Sequence, residues 1–167
     1  MRFIKADMKI GKLWFLGGAA GLFSLDQIMK SYAEQNLDKG EEKYLTDKVV
    51  LRRVHNKGMC LNLLDGQPET VKTLSLAATI VLTVLQIPLI FTKGRFWKKM
   101  GFEFLLSGAW SNTFDRAARG HVVDYIGFKT ENEKVSQVTY NLGDFFIAAG
   151  SVILVLTALF SGSKAED

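Results

Sequence analysis

Cysteine is all but missing. Cys60 stands alone, so no intrachain disulfide can form and no set of thiolates is available to hold a metal. In this setting it reads as a small apolar residue. The chain has no internal repeat, no low-complexity segment and no glycine loop of the phosphate-cradling kind. Clusters with metal-ligand spacing are also missing. The weak exception is His121, three residues before Asp124, and His55 reads as an ordinary polar loop residue.

Long charge-free runs are what the sequence does have. Residues 73–91 (TLSLAATIVLTVLQIPLIF) hold no charge, and neither do residues 145–160 (FFIAAGSVILVLTALF). A membrane span needs ~20 mostly apolar residues, so the first qualifies outright and the second does with its flanks. Two weaker runs, 13–29 and 100–114, each contain one acidic residue, Asp26 and Glu103. The expectation is a mainly α membrane protein, one integral membrane domain over 1–167. Its four transmembrane helices lie at roughly 13–30, 73–91, 97–114 and 144–160. Connections 31–69 and 115–139 form a small extracytoplasmic β/loop subdomain.

The net charge is +4. Such a balance can signal nucleic acid, but here the basic residues cluster beside apolar runs, so no nucleic-acid partner is expected. Segments 1–12, 92–99 and 161–167 carry nine Lys and Arg in 27 residues, whereas 34–69 and 115–139 carry ten in 61. The denser set belongs on the cytoplasmic side, which puts both termini there. The basic, then apolar N-terminus imitates a signal peptide. Its apolar run continues through Leu25 and Met29, so it reads as an uncleaved first span.

Several side chains invite two readings each. The small residues from Gly17 to Gly21 would let another helix approach closely. Asp26 and Lys30, spaced i, i+4, form either a local pair near the outer headgroups or a pair that fixes the first helix against a site. VVLRRVHN (49–56) has the pattern of a short strand, while LDKGEEKYLTDK before it reads as loop. Asn56 caps the following turn or meets a substrate backbone. Met59, Leu61, Leu63 and Leu64 give that loop an apolar side, as either a lid or a passive interfacial anchor. Pro88 is expected to kink the second helix. The third helix carries Glu103, Ser107, Ser111 and Asn112, too polar to face lipid. Asn112 and Arg116 share its face, and Arg116 either snorkels to headgroups or orients a carboxylate. Asp115, next to Arg116, points elsewhere.

Asp124 and Asp144 sit at the edges of apolar runs, where charge is expensive. The polar stretch 129–137 between them is long enough to reverse the chain. Each aspartate alone has a structural reading, helix capping in the case of Asp144. Brought face to face, two carboxylates share one proton, so one serves as base and the other as acid. That is the chemistry of an aspartic protease, here at a membrane surface. A small transporter subunit would instead place such charges near mid-membrane.

At these residues the chain resembles the lipoprotein signal peptidases, or signal peptidase II, of bacteria. The matching boxes run in order: LDQIMK (25–30), HNKGMCLNLL (55–64), GAWSNTFDRAARGHVVDY (108–125) and YNLGDFFIAAG (140–150). The last two are the specific ones. The resemblance implies an intramembrane aspartic endopeptidase that cleaves prolipoproteins just before the diacylglyceryl-modified cysteine. It implies Asp124 and Asp144 as the catalytic pair. It also implies that Asp26, Lys30, Asn56, Gly108, Asn112, Arg116 and Asn141 shape the site. No metal and no cofactor are implied. Partners would be prolipoproteins, membrane lipid and globomycin-type cyclic peptide inhibitors, with the enzyme a monomer in the cytoplasmic (inner) membrane. The chain departs from the pattern at Met59-Cys60-Leu61, where small residues and then an aromatic are usual. It departs also at Ser107 and Ser111, where glycines are common, and at Gly143, where alanine is usual. These changes touch substrate fit and leave a second reading open, a paralogue of altered specificity or one that binds lipoproteins without cutting them.

Overall fold

The computed structural model describes residues 2–58, 64 and 66–162, with side chains over 17–58, 64 and 66–160. Met59, Cys60, Leu61 and Leu63, on which the lid and anchor readings rest, lie outside the described residues.

The chain is mainly helical with a small antiparallel sheet. Four long helices carry it: α1 (Arg2–Asn36), α2 (Pro68–Phe91), α3 (Phe96–Ala118) and, last in the chain, α5 (Leu142–Gly162). The strands β1 (Glu42–Tyr44), β2 (Val49–Asn56), β3 (Val122–Phe128) and β4 (Thr139–Tyr140) pair antiparallel in that order. A short helix, α4 (Glu133–Gln137), precedes β4. Among the described residues, two helices are long and apolar enough to cross a membrane: α2, with 24 residues, and the Leu142–Phe160 part of α5, with 19.

Strand β2 coincides with the alternating stretch read from sequence. Other boundaries differ. Helix α1 does not stop near Lys30 but runs on to Asn36, because Ala33 and Leu37 are buried against the sheet with Leu51, Val123 and Tyr125. Strand β1 and helix α4 occupy stretches expected to be loop. Strand β1 depends on tertiary contacts rather than on pattern, and α4 on such contacts and on its own cap Asn132. Arg52 on β2 donates to Thr139 Oγ1 at 2.8 Å, to the carbonyl of Ser136 at 2.8 Å and to that of Val138 at 2.9 Å. It also pairs with Glu42 of β1 at 3.2 Å. One guanidinium thus fixes β1, α4 and β4 around β2, which returns the chain to the start of α5.

Helix α3 is the centre, packed by α1, α2 and α5. Its polar residues Ser107, Ser111, Asn112, Thr113 and Asp115 are buried there, which is why a helix with weak hydropathy occupies this place. Thr113 meets Thr79 of α2 at 2.9 Å, and Trp110 donates to Thr83 at 3.1 Å.

Glycines set the approach of α3 to α5. A Cβ on Gly108 would lie 2.1 Å from the carbonyl oxygen of Gly143, and one on Gly150 would lie 2.4 Å from the amide of Leu105. On α1, a Cβ on Gly18 would collide with Glu103, whereas Gly17 and Gly21 have nothing within 4 Å. Close approach to α3 within that stretch is realised at Gly18 and at Ala19, whose carbonyl accepts from Ser107 at 3.2 Å.

Gly150→Ala must push α5 off α3, because the obstructing atoms are backbone. Thermal unfolding in detergent should show a loss of about 1–3 kcal/mol, the usual cost of overpacking. Gly21→Ala, with open space around it, should match or exceed the parent. Equal stability of the two variants would contradict the close packing.

Candidate active site

The site is built where the C-terminal halves of α1 and α3 meet β3 and the first turn of α5. Its foundation is a buried ion cluster. Lys30 and Asp26, each with 0% exposure, pair at 2.9 Å, and Lys30 also pairs with the fully buried Asp115 at 3.1 Å. The ammonium further donates to Ser111 Oγ at 3.2 Å and to Asn112 Oδ1 at 2.7 Å. Asp26 accepts from Ser111 at 2.5 Å and from the Tyr125 hydroxyl at 3.0 Å. Asp115 accepts from Gln27 at 3.1 Å, from the backbone N–H of Val123 at 3.1 Å, and from Arg119. The Asp26–Lys30 pair thus joins α1 to α3 through Asp115, Ser111 and Asn112.

Above this cluster stand the two aspartates. Asp144 is the third residue of α5, and Asn141 immediately precedes the helix. The Asp144 N–H donates to Asn141 Oδ1 at 2.9 Å, and the Asn141 N–H donates back to Asp144 Oδ2 at 3.0 Å. This reciprocal capping box explains why the polar YNLGD opens an apolar helix. Asp144 is therefore a cap, and its second oxygen remains for Asn112, which donates at 2.9 Å. Asp124 on β3 is 3% exposed. It accepts from Asn141 Nδ2 at 2.7 Å and from Asn56 Nδ2 at 3.1 Å. Asn141 thus contacts both carboxylates.

Burial first, and the neighbouring Asp144 charge second, push Asp124 from 3.8 up to about 7, against the hydrogen bonds from Asn56 and Asn141 that favour ionisation. Tyr125, behind it on β3, is held protonated far above its ordinary range by burial and by the charge of Asp26. Its hydroxyl donates to Asp26 and accepts the N–H of Leu142 at 3.1 Å, joining the ion cluster to the first turn of α5.

The remaining expected residues converge here too. Asn56 caps its turn, accepting the Gly58 N–H at 3.0 Å, while its amide reaches Asp124. Arg116 turns inward rather than toward headgroups and donates to the Gly58 carbonyl at 2.9 Å. Its buried Nε has no hydrogen-bond partner among the described residues. Gly108 lets the first turn of α5 lie against α3. Gly143, the departure from alanine, has a reason in this chain. A Cβ there would lie 2.9 Å from both Asn141 Oδ1 and Asp26 Oδ2 and 3.3 Å from Asn112 Oδ1.

His121 does not join Asp124. It lies 3.4 Å from Glu34 and stacks on His55, which belongs to β2 rather than to a loop. Sequence reasoning passed over Asp115, Tyr125, Gln27 and Arg119. Asp115 carried a usable signal: it stands four residues after Ser111 and four before Arg119, one buried stripe of α3.

Removing Lys30 leaves Asp26 and Asp115 buried without their shared cation. Lys30→Met should cost about 3–5 kcal/mol. Denaturant or thermal unfolding of the purified variant checks this, and a loss below about 1 kcal/mol would show that the cluster does not depend on the ammonium.

Comparison with known proteins agrees with this architecture. The model of the family described as Signal peptidase (SPase) II matches residues 18–160. A lipoprotein signal peptidase of Nostoc punctiforme is 33% identical over 139 residues, covering 81% of this chain and 83% of that one. One from Caldicellulosiruptor bescii is 30% identical over 142 residues, covering 85% and 88%. In fold, the chain is similar to a bacterial membrane enzyme solved by the in meso method at 2.3 Å resolution. The TM-score is 0.78 at 18% identity, with 92% of each chain covered. A second such enzyme, solved at 1.9 Å, gives 0.72 at 19% identity, covering 87% of this chain and 92% of that one. On the family match across residues 18–160 and the breadth of the alignments to its relatives, this chain belongs to the signal peptidase II family.

Proposed function

We propose that the chain is an intramembrane aspartic endopeptidase that removes the signal peptide of a prolipoprotein by cutting before its diacylglyceryl-modified cysteine. The observation that carries this reading is the pair Asp124 and Asp144, hydrogen-bonded to one asparagine, each carboxylate oxygen supplied with an N–H donor. Asp124 and Asp144 act as the catalytic dyad. Asp26, Lys30, Asn56, Gly108, Asn112, Arg116 and Asn141 hold it.

Near neutral pH the two carboxyls share one proton, Asp124 being raised to about 7 by burial; with that proton on Asp124, Asp144 is the base. Asp144 takes a proton from water as the oxygen attacks the scissile carbonyl carbon, and Asp124 gives its proton to the carbonyl oxygen. The resulting diol collapses as the amine leaves with a proton from Asp144, and the diol's proton returns to Asp124. Water and peptide become acid and amine, and the dyad is restored. Arg116 lies close enough for its charge to be felt at both aspartates. The substrate's acyl chains remain in the bilayer and fix the cysteine at the depth of the dyad. Globomycin-type peptides would compete for the same place.

The chain forms one integral domain with four spans, within α1, α2, α3 and α5, both termini cytoplasmic and the sheet outside. Exposed Leu76, Val84, Leu85, Val152, Val155 and Leu159 give α2 and α5 the apolar outer faces that lipid requires. The enzyme acts as a monomer in the bacterial cytoplasmic membrane.

Asp124→Asn and Asp144→Asn should each lower turnover of a lipidated substrate peptide by at least a thousandfold, and the double variant should be hardly slower, since the two act as a unit. A single variant retaining a tenth of the activity would remove the assignment. The pH profile has a definite sign. Deprotonation of Asp124 destroys the singly protonated dyad, so kcat/KM should fall as pH rises through about 7. A flat profile to pH 9 would contradict Asp124 as the proton carrier.

Topology can be read independently. Reporter fusions after Lys99 and after Asp167 should score cytoplasmic, and one after Asp47 external. An external C-terminus would eliminate the four-span arrangement.

A further inference from the structure

Both histidines of the chain meet at one place away from the dyad. His55 on β2 and His121 at the start of β3 stack with ring centroids 3.9 Å apart. Both direct Nε2 at the same carboxylate oxygen, Glu34 Oε1, at 2.7 Å from His55 and 3.4 Å from His121. Glu34 lies on the last turns of α1, on the stripe that carries Asp26 and Lys30 at four-residue intervals. The three ligand-capable atoms all lie within 4.8 Å of one another.

We propose that Glu34, His55 and His121 form a binding site for one zinc-class dication that clamps the end of α1 to the paired strands β2 and β3. The donor set is the first argument. Two imidazole nitrogens and one carboxylate suit zinc and its transition-metal neighbours, whereas magnesium and calcium take oxygen. The spacing is the second. Ligands at ~2.0–2.1 Å from one tetrahedral ion stand roughly 3.3 Å from each other. Two of the separations found are 2.7 and 3.4 Å, so side-chain adjustments suffice. Access is the third. His55 is 44% exposed and His121 19%, so an ion can enter and water can complete its coordination.

The nearest competing cation is Arg53. Its Nη1 donates to the Glu34 backbone carbonyl at 2.9 Å and stands 3.9 Å from the other carboxylate oxygen, Oε2. It therefore holds Glu34 in place and leaves Oε1 to the histidines. The bare alternative is an ion pair between Glu34 and protonated histidine. That arrangement needs a proton on Nε2, whereas a bound ion takes the proton's place there.

The test uses the full-length protein in detergent with no histidine tag, in a Cys60→Ser background so that the lone thiol supplies no signal. After chelator treatment and its removal, Zn2+ alone is titrated by calorimetry, and melting is followed with and without it. The expected result is one equivalent bound and a melting temperature that rises with Zn2+ concentration, as mass action requires. Mg2+ should do neither. His121→Gln, His55→Gln and Glu34→Gln should each weaken Zn2+ binding at least tenfold. Should His121→Gln fold poorly, the half-exposed His55→Gln makes the comparison. Absence of saturable Zn2+ binding overturns the proposal, as does binding in the His55→Gln/His121→Gln double variant equal to the parent's, or an equal response to Mg2+.

Discussion

Everything at the site stands on the Lys30 ammonium. It is buried between two carboxylates, Asp26 at 2.9 Å and Asp115 at 3.1 Å, and lends a proton to Asn112 at 2.7 Å. An unpaired charge in this interior would cost several kcal/mol, so the cluster holds only when complete. Completeness requires α1, α3 and β3 at once: Asp26 and Lys30 come from the first, Asp115 from the second, and the Val123 N–H and Tyr125 hydroxyl from the third. The charges around the site also nearly cancel. Lys30, Arg116 and Arg119 face Asp26, Asp115, Asp124 and Asp144, so three cations oppose four carboxylates. One proton makes the whole assembly neutral. In a medium of low polarity that balance favours one proton shared between Asp124 and Asp144.

Asparagine, not charge, links this cluster to the dyad. Each of three asparagines has its carbonyl and amide ends fixed by partners of opposite demand. Asn112 accepts from Lys30 and donates to Asp144. Asn141 accepts from the Asp144 N–H and donates to Asp124. Asn56 accepts from the Gly58 N–H and donates to Asp124. Turning any of these amides over would set carbonyl oxygen against carboxylate. A carboxylate in place of any one would do the same. The aspartates are thereby held by donors alone, each keeping further acceptor capacity toward water or substrate.

The helices were legible because burial in apolar surroundings leaves long runs, and β2 because its alternation is local. Asp124 and Asp144 stood out in the sequence because charge beside hydrocarbon is conspicuous. What escaped was set by partners distant in sequence. Strand β1 is held by Arg52 through Glu42, and helix α4 both by Arg52 and by its own cap Asn132, a short signal inside a polar stretch. Asp115 read as an outward neighbour of Arg116, although its spacing to Ser111 placed it inside. Tyr125 read as the end of a motif, although its hydroxyl joins two elements 17 residues apart. His55 read as loop because its partners, Glu34 and His121, lie 21 and 66 residues away.

Gly143 shows how closely sequence departure and site geometry are tied. Its missing Cβ is the space in which Asn141, Asp26 and Asn112 bring three side-chain oxygens near one backbone position. Ser111, where glycine is usual, makes the complementary change: its hydroxyl donates to Asp26 and accepts from Lys30 and Gln27. Side-chain bulk removed on α5 thus faces a hydroxyl added on α3, around the same carboxylate. Both residues serve the ion cluster rather than the exposed side of the dyad. The departures at 111 and 143 therefore concern how the aspartates are supported, whereas Ser107 donates to the carbonyls of Ala19 and Glu103. Gly58 is joined to the site through Arg116 and Asn56. Arg116 holds the carbonyl of Gly58 while Asn56 holds its N–H. A displacement of the chain beyond Gly58 is therefore felt at Asp124, one hydrogen bond further on.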